Sequence, residues 1–584
     1  MKYSTIPSAQ TVAHYCKIYG IKEIVISPGS RNAPLTITFT EDDYFNCFSV
    51  VDERCAAFFA LGMAQQQQKP VAVICTSGSA LLNYYPAISE AFYSDIPLVV
   101  ISADRPPYKI DIGDGQTIRQ DHVFDRHIGY SANLKLDVSH ATETIKKQGK
   151  SLLSSSTSLE NQQAQIEAYN DKELGQAFQL AIETMSPVHI NVPFEEPLYN
   201  ATTVPNHQPA LVYKKPELDA VENLTAFATS WNQAKRKLVL VGVAYPNAVA
   251  QEYLDFLATD KSVIVLTETT SNLHHPNFFT SIDSLIAPIE KSVNSDELFK
   301  KLQPDIVLTF GGLIVSKKIK SFLRTYKAGV HWHIDAKKAY DTFFSITHHF
   351  ETSENTFFRS FIPKLKAIES DYYSYWSAVK RNYEVKRNQY LKEIPFSDML
   401  AFSKIAKSIP KNYQLHLANS STVRYAQLFA IDPSITVFCN RGTSGIDGST
   451  STAVGAAIYH QEPTLLITGD ISFLYDSNGL WNKNIRSDFR VIVLNNDGGG
   501  IFRILPGQED TANFETFFET THAIDIAKLC SGYNILHEMV DNEKNLEKAL
   551  INFYKGSKMP KLLEIKTPRL INNKILLSYF DFIS

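Results

Sequence analysis

The sequence predicts an α/β protein with three doubly wound parallel-sheet domains, and three observations carry that prediction. Short apolar runs alternate with helix-patterned segments along most of the chain, the mark of right-handed βαβ units and parallel sheets. At 584 residues the chain has room for roughly three or four domains of ordinary size. The alternation is also interrupted twice. Residues 200–215 hold Pro205 and Pro209 among polar residues, with Pro216 just beyond, and residues 355–395 are charged and Tyr-rich. The first reads as a linker and the second as a solvated helical connector. The expected division is therefore 1–200, 201–355, a connector at 356–395, and 396–584.

Residues 7–19 pattern as a helix, with Pro7 early. Strands are expected at 23–27, at 47–51 (as a buried strand), at 71–75 and at 97–102, with helices over 55–66 and 81–93. The Ser- and Gln-rich residues 150–168 read as a surface loop or helix cap, and 187–194 as the strand that closes the first domain. Four apolar runs, 237–243, 262–267, 305–310 and 330–334, supply the second sheet. The turn after Val241 lacks G-x-G-x-x-G, so dinucleotide binding is not indicated. Strands at 414–418, 436–439, 465–468, 491–494 and 562–565 supply the third.

Composition excludes several classes. A hydrophobic content of 44% and a charged content of 20% are those of a soluble globular protein. A net charge of -4, with no dense Lys/Arg block, argues against nucleic acid as a partner. The six cysteines show neither C-x-x-C nor Cys/His ligand spacing, so they read as reduced thiols of a cytoplasmic protein. No signal peptide and no membrane span are expected.

The stretch 464–502 holds the densest chemistry. One apolar run ends in Gly469-Asp470, a polar and helix-like segment follows, and a second run ends in Asn495-Asn496-Asp497 and three glycines. Two buried parallel strands ending this way bring their oxygens to the carboxyl edge of one sheet, where α/β folds bind ligands. Asp470, Asn496 and the Gly498 carbonyl form a hard-oxygen set suited to Mg²⁺, which takes its remaining ligands from water and phosphates. Two core strands ending in ordinary Asn/Gly turns are the competing reading. An internal echo links distant segments. Residues 52–64, DERCAAFFALGMA, and residues 447–457, DGSTSTAVGAA, both run from a strand end through a turn into a small-residue helix.

The Gly469-Asp470 to Asn495-Asn496 module resembles the thiamine-diphosphate motif, with Ile471 where Gly is usual. Two related α/β domains flanking a third is also the plan of thiamine-diphosphate enzymes. Seven segments look like one family among them: SPGSRNAPLT from Ser27, DERCAAFFALGMA from Asp52, ISADRPP from Ile101, GQTIRQ from Gly115, PVHINVPFEEPLY from Pro187, NRGTSGIDGSTSTA from Asn440 and NNDGGGIFRILP from Asn495. They resemble the 2-succinyl-5-enolpyruvyl-6-hydroxy-3-cyclohexene-1-carboxylate synthase family of menaquinone biosynthesis, closely over the first and third domains and loosely over the middle one.

The resemblance implies a transferase that uses thiamine diphosphate and Mg²⁺, with Mn²⁺ an alternative metal. It would decarboxylate 2-oxoglutarate and add the succinyl-semialdehyde carbanion to isochorismate in a 1,4 sense. CO₂ would leave and pyruvate would not be released at this step. Residues 1–200 would bind the aminopyrimidine and 396–584 the diphosphate. The protein would be a homodimer or homotetramer that pairs the first domain of one subunit with the third of another.

Glu53 matches the glutamate that bonds the aminopyrimidine N1′; a first-turn Glu favoured by the helix dipole is the competing reading. Asp470, Asn496 and Gly498 match the metal ligands. Further cofactor contacts implied are Ser77, Gly78, Ser444, Gly445, Ile446, Ile471, Ser472 and Ile501. For Ile446, the implied apolar support under the bent cofactor, a turn residue covering core competes. Substrate contacts implied are Ser30, Arg31, Arg105, Gln116, Ser420, Arg424 and Arg441, since arginine forks match carboxylates. Phe502 and Leu505 would join Ile501 in a water-excluding apolar wall. Lys317 and Lys318 match more loosely, and a solvated charge pair is as good a reading. The alternatives are another thiamine-diphosphate 2-oxo-acid decarboxylase or acetohydroxyacid-synthase-like carboligase, and, in a different class, a non-catalytic cofactor-binding or interaction protein.

Overall fold

Every apolar run expected as a strand forms a parallel strand. The computed structural model describes residues 2–205, 223–504 and 511–584. It holds three parallel sheets. The first has the spatial order Asn46–Ser49, Glu23–Ile26, Val71–Cys75, Leu98–Asp104, Val188–Pro193, Tyr130–Asn133. The second runs Val263–Thr267, Lys237–Val241, Ile306–Phe310, Val330–Ile334, His348–Phe350. The third runs Thr436–Phe438, Gln414–Leu417, Thr464–Gly469, Arg490–Asn495, Lys561–Lys566, Leu536–Val540. Central strands such as Val71–Cys75 and Ile306–Phe310 are buried at every position, because helices cover both faces of a parallel sheet. Each fully buried Val, Ile or Leu contributes roughly 1.5–3 kcal/mol.

By packing, the described chain divides into two compact units. One comprises 1–217, 442–461 and 475–486; the other comprises 218–441, 462–474 and 487–584. The first unit holds the first sheet, whose core gathers Ile24, Ile74, Val99 and Ile190 with Leu174 and Phe178. The second unit holds the other two sheets. The Asn272 side chain joins them, accepting from the Val437 amide at 2.7 Å and donating to its carbonyl at 2.9 Å.

Several expectations need correction. The predicted buried strand at 47–51 is Asn46–Ser49, an edge strand paired on one side only and partly exposed. The strand at 187–194 is the last of its sheet along the chain, as expected, but lies inside the sheet, between Leu98–Asp104 and Tyr130–Asn133. Tyr130–Asn133, His348–Phe350 and Leu536–Val540 were not anticipated. All three are short or polar edge strands without the apolar run that marks a central one. The single helix expected at 81–93 is broken into Ser79–Leu82 and Tyr85–Ser94, with Pro86 in the first turn of the second, where proline costs no hydrogen bond. The helix-cap reading of 150–168 holds at Ser158, and the helix that it caps, Leu159–Glu183, buries Ile166, Leu174 and Phe178 on one face.

The connector at 356–395 is not a solvated one. Its helix Tyr372–Glu393 buries Tyr372, Trp376, Tyr383 and Tyr390, which recur at helical spacing as a seam on the core of the second unit. Lys380 and Arg387 share the seam side, Lys380 donating to the Phe278 carbonyl at 2.8 Å and Arg387 lying over the Tyr383 ring, while Arg381, Lys392 and Glu393 are exposed. Pro209 and Pro216 of the expected linker lie outside the described residues. No described helix is long and apolar enough to cross a membrane.

Candidate active site

Glu53 opens the helix Glu53–Gln67, whose N-cap Asp52 accepts from the Cys55 amide at 3.1 Å. Its carboxyl is half-buried and, among the described residues, bonds only to its own amide. Desolvation, reinforced by Asp52, raises its affinity for a proton. The helix is packed closely by a second, Ser449–Ala457, within the same unit. A Cβ on Gly62 would lie 2.0 Å from the Thr452 carbonyl oxygen, and one on Gly455 2.0 Å from that of Phe59. Only glycine permits this approach, so the two echoed small-residue segments are helices packed on each other.

The same unit carries the first arginine pair. Arg31 is 3% exposed. It donates to the Phe194 carbonyl at 3.0 Å and to Glu196 at 2.9 Å, leaving its buried Nε without an acceptor. Arg105 lies 3.9 Å from the same Glu196 carboxylate and donates to the Gly115 carbonyl. Burial, then Arg105, lowers the Arg31 pKa. Ser30 is exposed beside them. Ser77 is buried with its hydroxyl unpartnered. Gly78 has φ +88 and its amide donates to Gln120 at 2.8 Å. Gln116 is exposed, and its backbone would lie 3.1 Å from a Cβ on Gly78. The buried glutamine of GQTIRQ is Gln120, which also donates to Asn191 at 2.8 Å. The loop 442–446 carries Ser444, Gly445 and Ile446, all half-buried, with Ser444 in a left-handed conformation at φ +61.

In the second unit, Asp470 begins a helix at the end of Thr464–Gly469 and is 3% exposed. It accepts from the Ile471 amide at 2.8 Å, the Gly498 amide at 2.8 Å and His522 Nε2 at 3.2 Å. The bond to Asp470 raises the His522 pKa. Asn496, at the end of Arg490–Asn495, donates its Nδ2 to Asp398 at 2.9 Å. Its Oδ1 accepts from no described residue. Asp398 is buried, which pushes its pKa up to about 6, and also accepts from Thr567 at 2.6 Å. The Gly498 carbonyl accepts from the Gly500 amide at 3.0 Å and keeps a second lone pair. Among the described residues no group of three or more His, Cys, Asp or Glu could hold a metal. The set is one carboxylate, one amide oxygen and one carbonyl, which fits a Mg²⁺ completed by phosphates and water rather than an all-protein cage.

Ile471 is half-buried, Ser472 is buried, and Ile501 and Phe502 are half-buried. Phe502 meets Phe518 edge-on with ring centres 6.2 Å apart. The loop under them is held by buried Glu519, which pairs with Arg503 at 2.5 Å and Arg569 at 2.6 Å while its carbonyl accepts from the Gly499 amide. Asp497 is a left-handed turn residue, 3.7 Å from Lys566. Leu505 lies outside the described residues.

The second unit also gathers cations. Arg424 donates to the Ser420 carbonyl at 2.6 Å, and Arg441 to Asn419 at 2.7 Å. Burial, then Arg441, lowers the Arg424 pKa. Lys317 and Lys318 open the helix Lys317–Thr325. Lys317 is exposed and Lys318 pairs with Glu290. Lys320 is the lysine that senses Arg441, with its pKa lowered by burial. Buried Glu268 accepts from the Val315 and Ser316 amides, and burial pushes its pKa up to about 7 against the pull of Arg441.

The structure therefore brings Arg31 together with Arg105, Asp470 with Gly498, and Arg424 with Arg441. It keeps Lys318 in an ion pair and Gln116 at the surface. Sequence reasoning missed Asp398, His522, Glu196, Gln120 and Lys320. Glu196 and Gln120 were quoted inside motifs, whereas Asp398 and His522 carry no local signal.

Comparison with known proteins completes the description. Residues 8–127 match the thiamine pyrophosphate enzyme N-terminal TPP-binding domain, and residues 419–565 the C-terminal TPP-binding domain. Three similar proteins are each named 2-succinyl-5-enolpyruvyl-6-hydroxy-3-cyclohexene-1-carboxylate synthase. The one from Christiangramia forsetii is 56% identical, covering 100% of both chains. Those from Flavobacterium psychrophilum and Flavobacterium johnsoniae are 52% and 50% identical, each covering 99% of both. The crystal structure of benzoylformate decarboxylase from Polynucleobacter necessarius is 14% identical, covers 97% of this chain and 99% of its own, and superposes with a TM-score of 0.68. It shares the fold.

Proposed function

The chain belongs to the 2-succinyl-5-enolpyruvyl-6-hydroxy-3-cyclohexene-1-carboxylate synthase family of thiamine-diphosphate enzymes, and on that premise we propose that it decarboxylates 2-oxoglutarate and adds the remaining four-carbon unit to isochorismate, a step of menaquinone biosynthesis. The observation that carries this reading is the Glu53 carboxyl, half-buried at a helix start with no partner among the described residues beyond its own amide. Such a group is poised to share a proton with a ligand nitrogen.

Thiamine diphosphate, when bound, would supply a cationic thiazolium ring able to accept the electron pair left when CO₂ departs. The chain's own residues bind, orient and exclude water. Glu53 holds the proton at the aminopyrimidine N1′. Asp470, Asn496 through Oδ1, and the Gly498 carbonyl hold Mg²⁺ against the diphosphate. Ser77, Gly78, Ser444, Gly445, Ile446, Ile471, Ser472 and Ile501 line the cofactor. Arg31 and Arg105, with Ser30 and Gln116 beside them, and Arg424 and Arg441, with Ser420, take the substrate carboxylates, where a planar fork gives two-point contacts. Lys317 and Lys318 stand at the margin of the second group. Phe502 would help to exclude water from the site where the substrates meet.

The domain reading is 1–200 for the aminopyrimidine, 201–355 as a central domain, 356–395 as a connector, and 396–584 for the diphosphate. The working form is a cytoplasmic homo-oligomer in which the first domain of one subunit meets the third of another.

The test is direct. The protein is mixed with thiamine diphosphate, Mg²⁺, 2-oxoglutarate and isochorismate, and isochorismate loss is followed together with CO₂ release. Coupled loss and release are expected. Steady CO₂ release with isochorismate untouched would make the protein a plain decarboxylase.

A further inference from the structure

We propose that Glu90 is the positioning residue that presets the loop 442–446, gripping the Gly442 and Thr443 amides with its two carboxylate oxygens. This rests on the reading of Ser444, Gly445 and Ile446 as cofactor contacts. Glu90 lies on the helix Tyr85–Ser94, within the same compact unit as the loop, and is 1% exposed. Its Oε1 accepts from the Gly442 amide at 2.7 Å and its Oε2 from the Thr443 amide at 2.7 Å. The Thr443 hydroxyl adds a third bond at 3.0 Å and Ser94 a fourth at 2.8 Å.

A buried carboxylate is costly unless it is fully hydrogen-bonded, and here four donors replace water. The distances are those of charge-assisted bonds. Two of the donors are consecutive backbone amides, so the carboxylate fixes the peptide plane between them and the direction in which the chain leaves Thr443. The next residue, Ser444, sits at φ +61, a conformation that non-glycine residues hold only where their surroundings impose it. Glu90 fixes the peptide that leads into it. Gly442 is part of the device: a Cβ there would lie 2.6 Å from the Glu90 backbone carbonyl oxygen and 2.8 Å from Ser94 Oγ.

Glu90 touches neither the cofactor nor a substrate in this scheme, and it acts through the loop. Its loss should therefore weaken cofactor binding more than turnover once the cofactor is bound. The experiment measures thiamine-diphosphate binding to the full-length apo-protein by titration calorimetry in Mg²⁺, with melting temperature and steady-state kinetics alongside. Glu90→Gln, which presents an amide nitrogen to one of the two donors, is expected to weaken binding at least tenfold. At saturating cofactor it should keep most of the wild-type kcat. Gly442→Ala, which pushes the loop off the carboxylate, should do the same and serves if Glu90→Gln fails to fold.

Ile446→Ala reports on the underlying reading. If it weakens cofactor binding while Glu90→Gln and Gly442→Ala leave binding unchanged, the inference is overturned and the reading of the loop stands. If all three bind as the wild type does, the loop is not a cofactor contact and the inference falls with it. A lower melting temperature with unchanged binding would make Glu90 merely structural, which also overturns it.

Discussion

Glu53 and Asp470 are both acidic residues at the first position of a helix that follows a sheet strand, and each is surrounded in an opposite way. Asp470 is buried and accepts from two amides and His522. Its companion Asn496 is aimed by Asp398. Glu53 is half-buried, and no other described residue bonds to its carboxyl. The difference suits the role proposed for each group. A metal ligand serves best when its oxygens are fixed before the ion arrives, and such supporting bonds govern affinity. A carboxyl that exchanges a proton with a ligand must keep an oxygen free, and partial burial without a partner holds its proton affinity up.

The largest effect should come from Glu53. Glu53→Gln is expected to lower turnover by about two orders of magnitude or more, as for loss of a proton partner. Stability should change by less than about 1 kcal/mol, the scale of a helix-end charge. Near-normal turnover would break the comparison on this side. Next comes Asp398→Asn, which frees the Asn496 amide to rotate. Mg²⁺ affinity, read by calorimetry or by Mg²⁺-dependent thermal shift, should fall by about 10- to 100-fold. Unchanged affinity would mean that Asn496 needs no aiming.

Arg441→Ala should raise the KM for an anionic substrate by about tenfold, the worth of one charged hydrogen bond, and leave thiamine-diphosphate binding unaltered. The reverse pattern would move Arg441 to the cofactor.

The smallest effect concerns another buried carboxylate, Asp476, which accepts from the Ser451 amide at 2.7 Å and is pushed up to about 6 by burial. A carboxyl whose folded pKa is raised favours folding at low pH, and that contribution is lost as pH rises through about 6. Asp476→Asn should flatten the decline in melting temperature between the ordinary carboxylate range and about pH 6. An unchanged slope would show that Asp476 is not the group responsible.

Legibility followed chain locality. Asp470 and Asn496 could be read because each ends an apolar run, and Glu53 because Asp52 and a small-residue helix flank it. The strands 71–75 and 330–334 were legible because central parallel strands are apolar at consecutive positions. Edge strands such as His348–Phe350 bury less and leave a weaker pattern. The seam of Tyr372, Trp376, Tyr383 and Tyr390 was misread because surrounding charges masked a helical period. Asp398 and Glu90 were illegible for another reason. Their partners, Asn496 and Gly442, lie far along the chain, and an isolated acidic residue on a helix carries no mark of what it will meet.

By itself the sequence determined the parallel α/β class, the oxygen-bearing strand end at 469–470 and 495–498, and the small-residue helix behind Glu53, because these depend on neighbours within a few residues. Tertiary structure alone decided which way the Asn496 amide faces, that no other described residue bonds to the Glu53 carboxyl while three groups bond to Asp470, and that Glu90 grips the loop beside Ser444. Hydrogen-bond direction and burial are properties of groups brought together across the fold, and no local pattern encodes them.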